Sequence, residues 1–210
     1  EKETLGLYLT GHPLDEYTEE LAALPHRKPL ADLAEDETVK YRREPVMLAG
    51  LVASVRTQAT DNGKRAFVQL DDKTAYYEAL IFTDAFAQFG HLLEKETAVV
   101  LEGTLDTDQR TGKTRLRVEK IHNMLSIREN FLRKLVLRVD AAEVQAGAWA
   151  ELRKFLQPDA PMKCAVTVEY RTPQAQGELR LGGQWGVALD DANLRDLRVA
   201  LGRENVSLVF

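Results

Sequence analysis

Seven basic residues fall in two short stretches of the sequence, and their side chains are the ones best suited to a chemical role. Four of them lie within eight consecutive residues and the other three flank an Asp-Asn-Gly turn: Arg110, Lys113, Arg115, Arg117, and Arg56, Lys64 and Arg65. The aromatic residues that accompany them are Phe67, Tyr76 and Tyr77. Cations that neutralise phosphates, beside rings that stack on bases at about 1–3 kcal/mol each, are typical of a surface for single-stranded nucleic acid. A solvated charged hairpin without a ligand is the alternative that the same residues allow.

Other kinds of site find little support. The four histidines are scattered and the one cysteine, Cys164, falls in a predicted strand, so no zinc-ligand spacing occurs. Sequence motifs for a phosphate-binding loop, a nucleophile elbow or a dinucleotide site are missing. Asp106 and Asp108 could form a carboxylate pair for metal ions, but turn formation before Gly112 explains them better. We therefore predict no catalytic residue, no metal and no cofactor in this chain.

The charge distribution excludes bulk attraction to a polyanion. The 210 residues carry a formal net charge of −5, with 44% hydrophobic and 29% charged residues, as in a globular chain. Residues 1–44 hold 6 basic and 11 acidic residues, residues 45–125 hold 10 and 11, and residues 126–210 hold 12 and 11. Any affinity for nucleic acid must therefore come from a local patch outside the first segment.

Cysteine usage and hydropathy indicate a cytoplasmic protein. One cysteine cannot form an internal disulfide, which fits a reducing compartment. There is no apolar run of about 18 residues and no signal peptide, so we expect no membrane partner. The first residue is Glu1, and we expect the chain to be a piece of a longer protein.

Residues 1–44 are predicted to be a helical segment followed by a linker. Two short helical stretches meet at Gly11, and Pro13 suits the first turn of the second stretch. Prolines and scattered charge then indicate a linker with one helical turn near Leu30–Ala34.

Residues 45–125 are predicted to form an OB-fold domain. The expected elements are three strands, a helix and two strands: Val46–Val55, Arg65–Leu70, Ala75–Phe82, Asp84–Leu93, Thr97–Leu105 and Thr114–Ile121. This order is that of the OB fold, a five-stranded barrel in which the loops after the first and fourth strands frame the ligand groove. Both cationic stretches then lie at one rim, and single-stranded DNA would cross the second and third strands. Alternation in the third strand places Tyr77 in the core and Tyr76 outside.

Residues 132–210 are predicted to form a small α+β domain, which makes the whole chain α+β and mostly β. The pattern is strand–helix–strand–strand–helix–strand, and we expect a ferredoxin-like order. The last strand presents Val206, Leu208 and Phe210. These residues either pair within their own sheet or add to an edge or pocket of a partner.

The stretch from Glu3 to Leu14, Glu-Thr-Leu-Gly-Leu-Tyr-Leu-Thr-Gly-His-Pro-Leu, resembles a motif of the bacterial replicative DNA polymerase III alpha subunit (DnaE type). Similar stretches follow along nearly the whole chain: Ala49–Val52, Ala66–Asp72, Glu78–Phe82, Leu197–Gly202 and the alternating Val206, Leu208 and Phe210. One departure is Lys73-Thr-Ala-Tyr76, which lacks the glycine of the family's turn. The shape of that turn is therefore open.

The resemblance implies a C-terminal region of a DNA-directed DNA polymerase whose catalytic domains lie upstream. It further implies that the OB domain contacts single-stranded template and that the terminal domain binds the tau subunit of the clamp loader. The family's sliding-clamp motif also lies upstream, and the tail of this chain resembles it only in a degenerate form, so a clamp contact is left open. Two alternatives remain: a pure protein-interaction scaffold without DNA binding, and the anticodon-binding domain of a tRNA synthetase. The second would not explain the Gly-His-Pro-Leu stretch.

Overall fold

The computed structural model describes residues 12–35, 45–107, 114–140, 148–158 and 164–210. The chain divides into two compact units, of which the first ends at Met124 and the second begins at Leu125. The expected helical stretch before Gly11 lies outside the described residues. No helix within these ranges is both long enough and apolar enough to cross a membrane.

The first unit contains a closed barrel of five strands, namely β1 (Pro45–Thr60), β2 (Gly63–Asp71), β3 (Tyr76–Ile81), β4 (Ala98–Thr107) and β5 (Thr114–Asn123). Their order around the barrel is β1-β2-β3-β5-β4. β3 and β5 pair in parallel, and the other neighbours are antiparallel. A short helix lies between β3 and β4 in the sequence, at Thr83–Phe89. The predicted five-stranded OB fold is confirmed.

Alternation of side chains fills the barrel. In β2, Ala66, Val68 and Leu70 are fully buried, while the residues between them face outward. β1 is buried on both faces over its first half. At the edge of this part of the strand, the backbone of Met47 exchanges hydrogen bonds with His26 and Lys28 at 3.1 Å each, and the turn Pro13–Tyr17 also contacts β1.

Helices α1 (Thr18–Ala22) and α2 (Leu30–Glu35) follow the turn Pro13–Tyr17, and we number the later helix Thr83–Phe89 as α3. The turn is capped by His12, whose Nδ1 accepts a hydrogen bond from the Leu14 N–H at 3.2 Å. The His12 N–H in turn donates to Asp15 at 3.0 Å. This reciprocal capping satisfies donors that the turn leaves unpaired.

Asp72 joins the β2–β3 turn to the N-terminal segment. Its Oδ1 accepts hydrogen bonds from the N–H groups of Thr74 (2.9 Å) and Ala75 (3.2 Å), and its Oδ2 accepts one from the Leu30 N–H at 2.9 Å. Lys73 adopts the left-handed conformation, with φ of 74°, at a cost of about 1–2 kcal/mol for a residue other than glycine. Hydrogen bonds to Asp72 offset that strain, so the turn forms without the glycine of the family pattern.

Hydrogen bonding also shifts the acidity of Asp72. Burial by itself would raise the pKa of this carboxyl group, but the bonds from Leu30, Thr74 and Ala75 outweigh it and lower the pKa below its ordinary value. The charged form of Asp72 is therefore the one that stabilises the fold.

The second unit is built on a four-stranded sheet formed by β6 (Lys134–Asp140), β8 (Ala165–Arg171), β9 (Gln176–Arg180) and β11 (Val206–Val209), in the order β11-β6-β8-β9. The short strands β7 (Leu156–Pro158) and β10 (Trp185–Val187) pair separately. The helices are α4 (Met124–Phe131), α5 (Ala148–Phe155) and α6 (Asp191–Leu201).

The expected ferredoxin-like order is wrong for this sheet. In that arrangement another strand separates the two parallel strands of the first strand–helix–strand unit. Here β6 and β8 pair directly, from Lys134 with Ala165 to Asp140 with Arg171. The alternation of apolar residues is the same in both arrangements, so the sequence pattern could not distinguish them.

One face of this sheet carries the second core. Leu135 and Leu137 are fully buried beside Val166 and Val168, and Leu197 of α6 packs on them. α6 begins as predicted with Asp190 as its cap, whose Oδ1 accepts a hydrogen bond from the Asn193 N–H at 3.0 Å. It ends at Gly202, where φ is 89°.

The role of Asp72 can be tested by acid unfolding. Asp72→Asn is expected to lower the free energy of unfolding by about 1–3 kcal/mol at neutral pH, because an amide nitrogen, which cannot accept a hydrogen bond, replaces one of the two accepting oxygens. The folded-state pKa is lowered, so the stabilisation is complete above the unfolded value of about 3.9 and is lost as the pH falls through the folded value. The difference between the variant and the wild type should therefore shrink below about pH 4.

The measurement is urea unfolding followed by far-UV circular dichroism, since both tryptophans, Trp149 and Trp185, belong to the second unit. Asp61→Asn, at the exposed tip of the β1–β2 hairpin, is the matched control and should have little effect. An equal loss in Asp61→Asn, or a difference that does not change with pH, would contradict the role given to Asp72.

Candidate nucleic-acid interface

Strand register brings four outward-facing residues into one line across the barrel. Arg56 of β1 lies opposite Phe67 of β2, Phe67 lies opposite Leu80 of β3, and Leu80 lies opposite Arg117 of β5. We call these four residues the cross-strand row. Their chain neighbours, such as Val68 and Ala79, are buried in the barrel, so the row faces outward.

Phe67 is covered by two arginines. The guanidinium carbon of Arg56 lies 5.8 Å from the centroid of the Phe67 ring, and that of Arg65 lies 5.6 Å from it. Arg65 is held in place by Gln58, whose Oε1 accepts hydrogen bonds from Nε at 3.0 Å and Nη2 at 2.7 Å. The attraction of a cation to a ring face favours this arrangement. It places two cations beside one half-buried ring.

A second ring with a cation lies at the other end of the row. The guanidinium carbon of Arg117 is 5.4 Å from the centroid of Phe82, which is 44% exposed. Phe82 was not among the predicted site residues, although the predicted third strand, Ala75–Phe82, included it. The signal that could have found it is the outward alternation of Tyr76, Glu78 and Leu80, which Phe82 continues.

The neighbouring tyrosines have opposite environments, as predicted. Tyr76 is 57% exposed, whereas Tyr77 is buried and its hydroxyl accepts a hydrogen bond from the Leu116 N–H at 2.8 Å. Tyr76 lies four residues from Leu80 along β3, a distance of about 13 Å. It shares the outer face with the row but belongs to the end near the β2–β3 turn.

The remaining predicted cations are less fully described. Lys64 is exposed beside the hairpin turn and lies opposite Ala59. Arg110 and Lys113 fall outside the described residues, and so does Asp108. Arg115 lies opposite Asp106 in the β4–β5 pair. The rim formed by the loop between β4 and β5 therefore stays a prediction.

A carboxylate also lies on this outer face. Glu78 of β3 contacts Arg56, with 2.5 Å between Oε2 and Nη2. A different acidic residue, Glu102 of β4, contacts two basic residues of β5. Its Oε2 lies 2.8 Å from Nε2 of His122, and its Oε1 lies 3.2 Å from Nζ of Lys120. Burial opposes ionisation of Glu102, but its bonds to His122 and Lys120 lower its pKa. Over the described ranges, no group of three or more His, Cys, Asp or Glu side chains is placed to hold a metal ion.

The predicted partner-binding residues of the tail lie within their own domain. Val206 is buried in the core of the second unit, and Leu208 and Phe210 pack against that core. β11 pairs with β6, with Val206 opposite Leu137. This geometry favours ordinary sheet pairing, one of the two alternatives that the sequence left open.

Two protein-family models match parts of the chain. Residues 46–124 match an OB-fold nucleic acid binding domain, and residues 151–202 match the DNA polymerase III subunit alpha, C-terminal domain. DNA polymerase III subunit alpha of Pseudomonas fluorescens is 35% identical over 100% of this chain and 17% of its own length. The subunit of Escherichia coli K12 is 32% identical over 100% of this chain and 18% of its own length.

Among solved structures, a small single-stranded DNA-binding protein from Streptomyces coelicolor is 16% identical, covers 41% of this chain and 98% of its own, and has a TM-score of 0.33. A likeness of this degree carries no weight for function.

These findings define a barrel of the OB fold followed in the chain by a region similar to the C-terminal domain of DNA polymerase III subunit alpha. The chain belongs to the family of DNA polymerase III alpha subunits and corresponds to its C-terminal region. It spans 17% to 18% of the length of the two relatives described.

The two neighbouring tyrosines provide a test of the site's framework. Tyr77→Phe leaves the Leu116 N–H without the hydroxyl acceptor and should lower the free energy of unfolding by about 1–2 kcal/mol. Tyr76→Phe removes an exposed hydroxyl and should change stability little. Urea unfolding by circular dichroism compares the two variants, and equal stabilities would show that the Tyr77 hydroxyl does not support the β3–β5 pairing.

Proposed function

We propose that the barrel binds single-stranded DNA along the cross-strand row and that the second unit binds the tau subunit of the clamp loader. The whole protein would then be a DNA-directed DNA polymerase of the cytoplasm with its catalytic residues outside this chain. Family membership supports the polymerase assignment, and the row supports the DNA site.

The observation that carries the DNA-binding proposal is the presence of two rings with cations on one face. Phe67 has Arg56 and Arg65 over it, and Phe82 has Arg117. A ring can stack on a base only when the base is free of its partner strand, while an arginine beside the ring can neutralise the phosphate that follows. This combination favours an unpaired strand over a duplex.

The proposed site should bind weakly and with a strong dependence on salt. Within the described ranges of the chain, three cations accompany the two rings, namely Arg56, Arg65 and Arg117. With about 0.7 counterions released for each phosphate neutralised on a single strand, the logarithm of affinity should fall against the logarithm of salt with a slope no steeper than about −2, the value reached when all three arginines neutralise a phosphate. A protein with a net charge of −5 adds no general attraction.

The tau proposal is supported by the matched C-terminal domain and by exposed apolar side chains in the second unit. Leu179, Trp185 and Val199 are exposed there, Val199 to 80%. Large apolar side chains of this kind are common in protein interfaces. A clamp contact through the tail is the weaker candidate, because Val206 is held in the domain's own core.

Changing the three arginines tests the DNA site. The triple variant Arg56→Gln, Arg65→Gln and Arg117→Gln should weaken binding of a labelled oligothymidine of about 16 nucleotides by at least about tenfold at low salt. Phe82→Ala alone should weaken it about fivefold or more, in line with the loss of one stacked base. Fluorescence anisotropy gives the dissociation constants.

The matched control removes the same charge elsewhere in the chain, with Lys95→Gln, Arg153→Gln and Arg195→Gln, all exposed residues that are not part of the row. Equal losses in the two triple variants would mean that binding depends only on net charge. Binding that persists in both would point to the other predicted cations, Arg110, Lys113 and Arg115. A variant with these three residues changed to Ala would test that. Absence of salt-dependent binding by the wild type would favour the scaffold alternative.

Capture by immobilised tau tests the second half of the proposal. A chain truncated before Leu135 should lose capture, whereas the full chain with the three arginines changed should keep it. Leu179→Ala with Trp185→Ala, both exposed, should weaken capture about tenfold if these side chains anchor the interface. Retained capture by the truncated chain would place the contact in the first unit.

A further inference from the structure

We infer that Glu78 competes with DNA phosphate for Arg56 and thereby sets the affinity and salt dependence of the site, an inference that rests on the proposed binding of single-stranded DNA. Glu78 is not part of the row and carries the wrong charge for a phosphate ligand. Its position beside Arg56 gives it a role in the same site.

The pair is formed across β2. Gln69 of β2 lies opposite both Ser54 of β1 and Glu78 of β3, so Arg56 is two residues along β1 from the position in line with Glu78. The Glu78 side chain contacts Arg56 diagonally, with 2.5 Å between Oε2 and Nη2. The carboxylate thus occupies the position on Arg56 that a phosphate oxygen would take.

Exposure of the pair argues against a purely structural role. The Arg56 and Glu78 side chains are 70% and 52% exposed, and exposed ion pairs of this kind add little to stability. The same exposure leaves Arg56 accessible to a ligand. A phosphate that displaces the carboxylate makes a charge-assisted bond in its place.

The other arginines of the face differ from Arg56 in their partners. Arg65 is bonded to the neutral Gln58, and Arg117 lies over Phe82. Of these three arginines, within the part of the chain that the structure describes, Arg56 alone is paired with a carboxylate. Among the side chains that the structure describes, competition is therefore confined to the end of the row at Phe67.

Removing the carboxylate charge should strengthen binding through Arg56. Glu78→Gln frees the Arg56 cation from its partner, so we expect about fivefold tighter binding of the oligothymidine at low salt, the effect of one unit charge at about 4 Å in water. Because Arg56 has no competing carboxylate in the variant, it neutralises one more phosphate than in the wild type. The slope should therefore be steeper than that of the wild type by about 0.7 and reach the value near −2 that three available arginines give.

A double-mutant cycle distinguishes local competition from a general charge effect. Glu78→Gln is compared with the wild type, and the double variant Arg56→Gln, Glu78→Gln is compared with Arg56→Gln. The expected gain is about fivefold in the first comparison and absent in the second, because the competition acts through Arg56. Glu94→Gln, an exposed carboxylate of the same unit, is the charge control and should change affinity by less than about twofold.

Each result decides the question. A gain that persists in the Arg56→Gln background, or an equal gain in Glu94→Gln, would overturn the inference because either reports net charge alone. Unchanged binding by Glu78→Gln, with a wild type that binds, would overturn it while leaving the proposed function intact. If neither the wild type nor Glu78→Gln binds the oligothymidine, the proposed function itself fails.

Discussion

The register of the barrel strands is the constraint on which the candidate site depends. The barrel closes only if β3 pairs with β5, and the two strands pair in parallel at Leu80 and Arg117. On the inside, Tyr77 joins the same two strands through its hydroxyl and the Leu116 N–H. A shift of one residue would turn the apolar side chains outward and the row inward. The packing of the core and the position of the cations are therefore fixed together.

A bulge in β1 determines which of its residues reach the outer face. The pairing of β1 with β2 shifts between Val52 and Ser54. Before the shift, β1 is buried on both faces, and after it, Arg56 and Gln58 face solvent. Bulges of this kind commonly redirect side chains next to functional sites. Here the bulge places Arg56 over Phe67 and within reach of Glu78.

Much of the first unit could be predicted, because its signals are local. Alternation along β2 and β3 and the Asp-Asn-Gly turn lie within a few residues of one another, and each element follows from them. The contact of Glu78 with Arg56 could not be predicted, because it depends on the β1 bulge and on a diagonal approach across β2. Phe82 was missed for a related reason: alternation along β3 places it on the outer face, but its contact with Arg117 depends on the pairing of β3 with β5.

The second unit shows where local patterns stop being informative. Leu135, Leu137, Val166 and Val168 give two clear apolar strand faces, and both lie in the core. Nothing in that alternation tells whether β6 pairs with β8 or with β9, because every pairing buries the same side chains. The capped helix α6, with Asp190 at its start and Gly202 at its end, was predictable because its signals are again local.

Weak binding has a physical meaning for a template site of the proposed kind. A polymerase advances one nucleotide at a time, so a surface that holds the template must release each nucleotide as readily as it takes the next. Affinity changes mainly through the rate of release, and a carboxylate that takes the place of a phosphate on Arg56 speeds release without removing the cation. Because rings with cations lie toward both ends of the row, the DNA strand stays in contact at one end while a phosphate is released at the other. The acidic residue on this face is therefore consistent with the proposed function, since it makes the contact reversible.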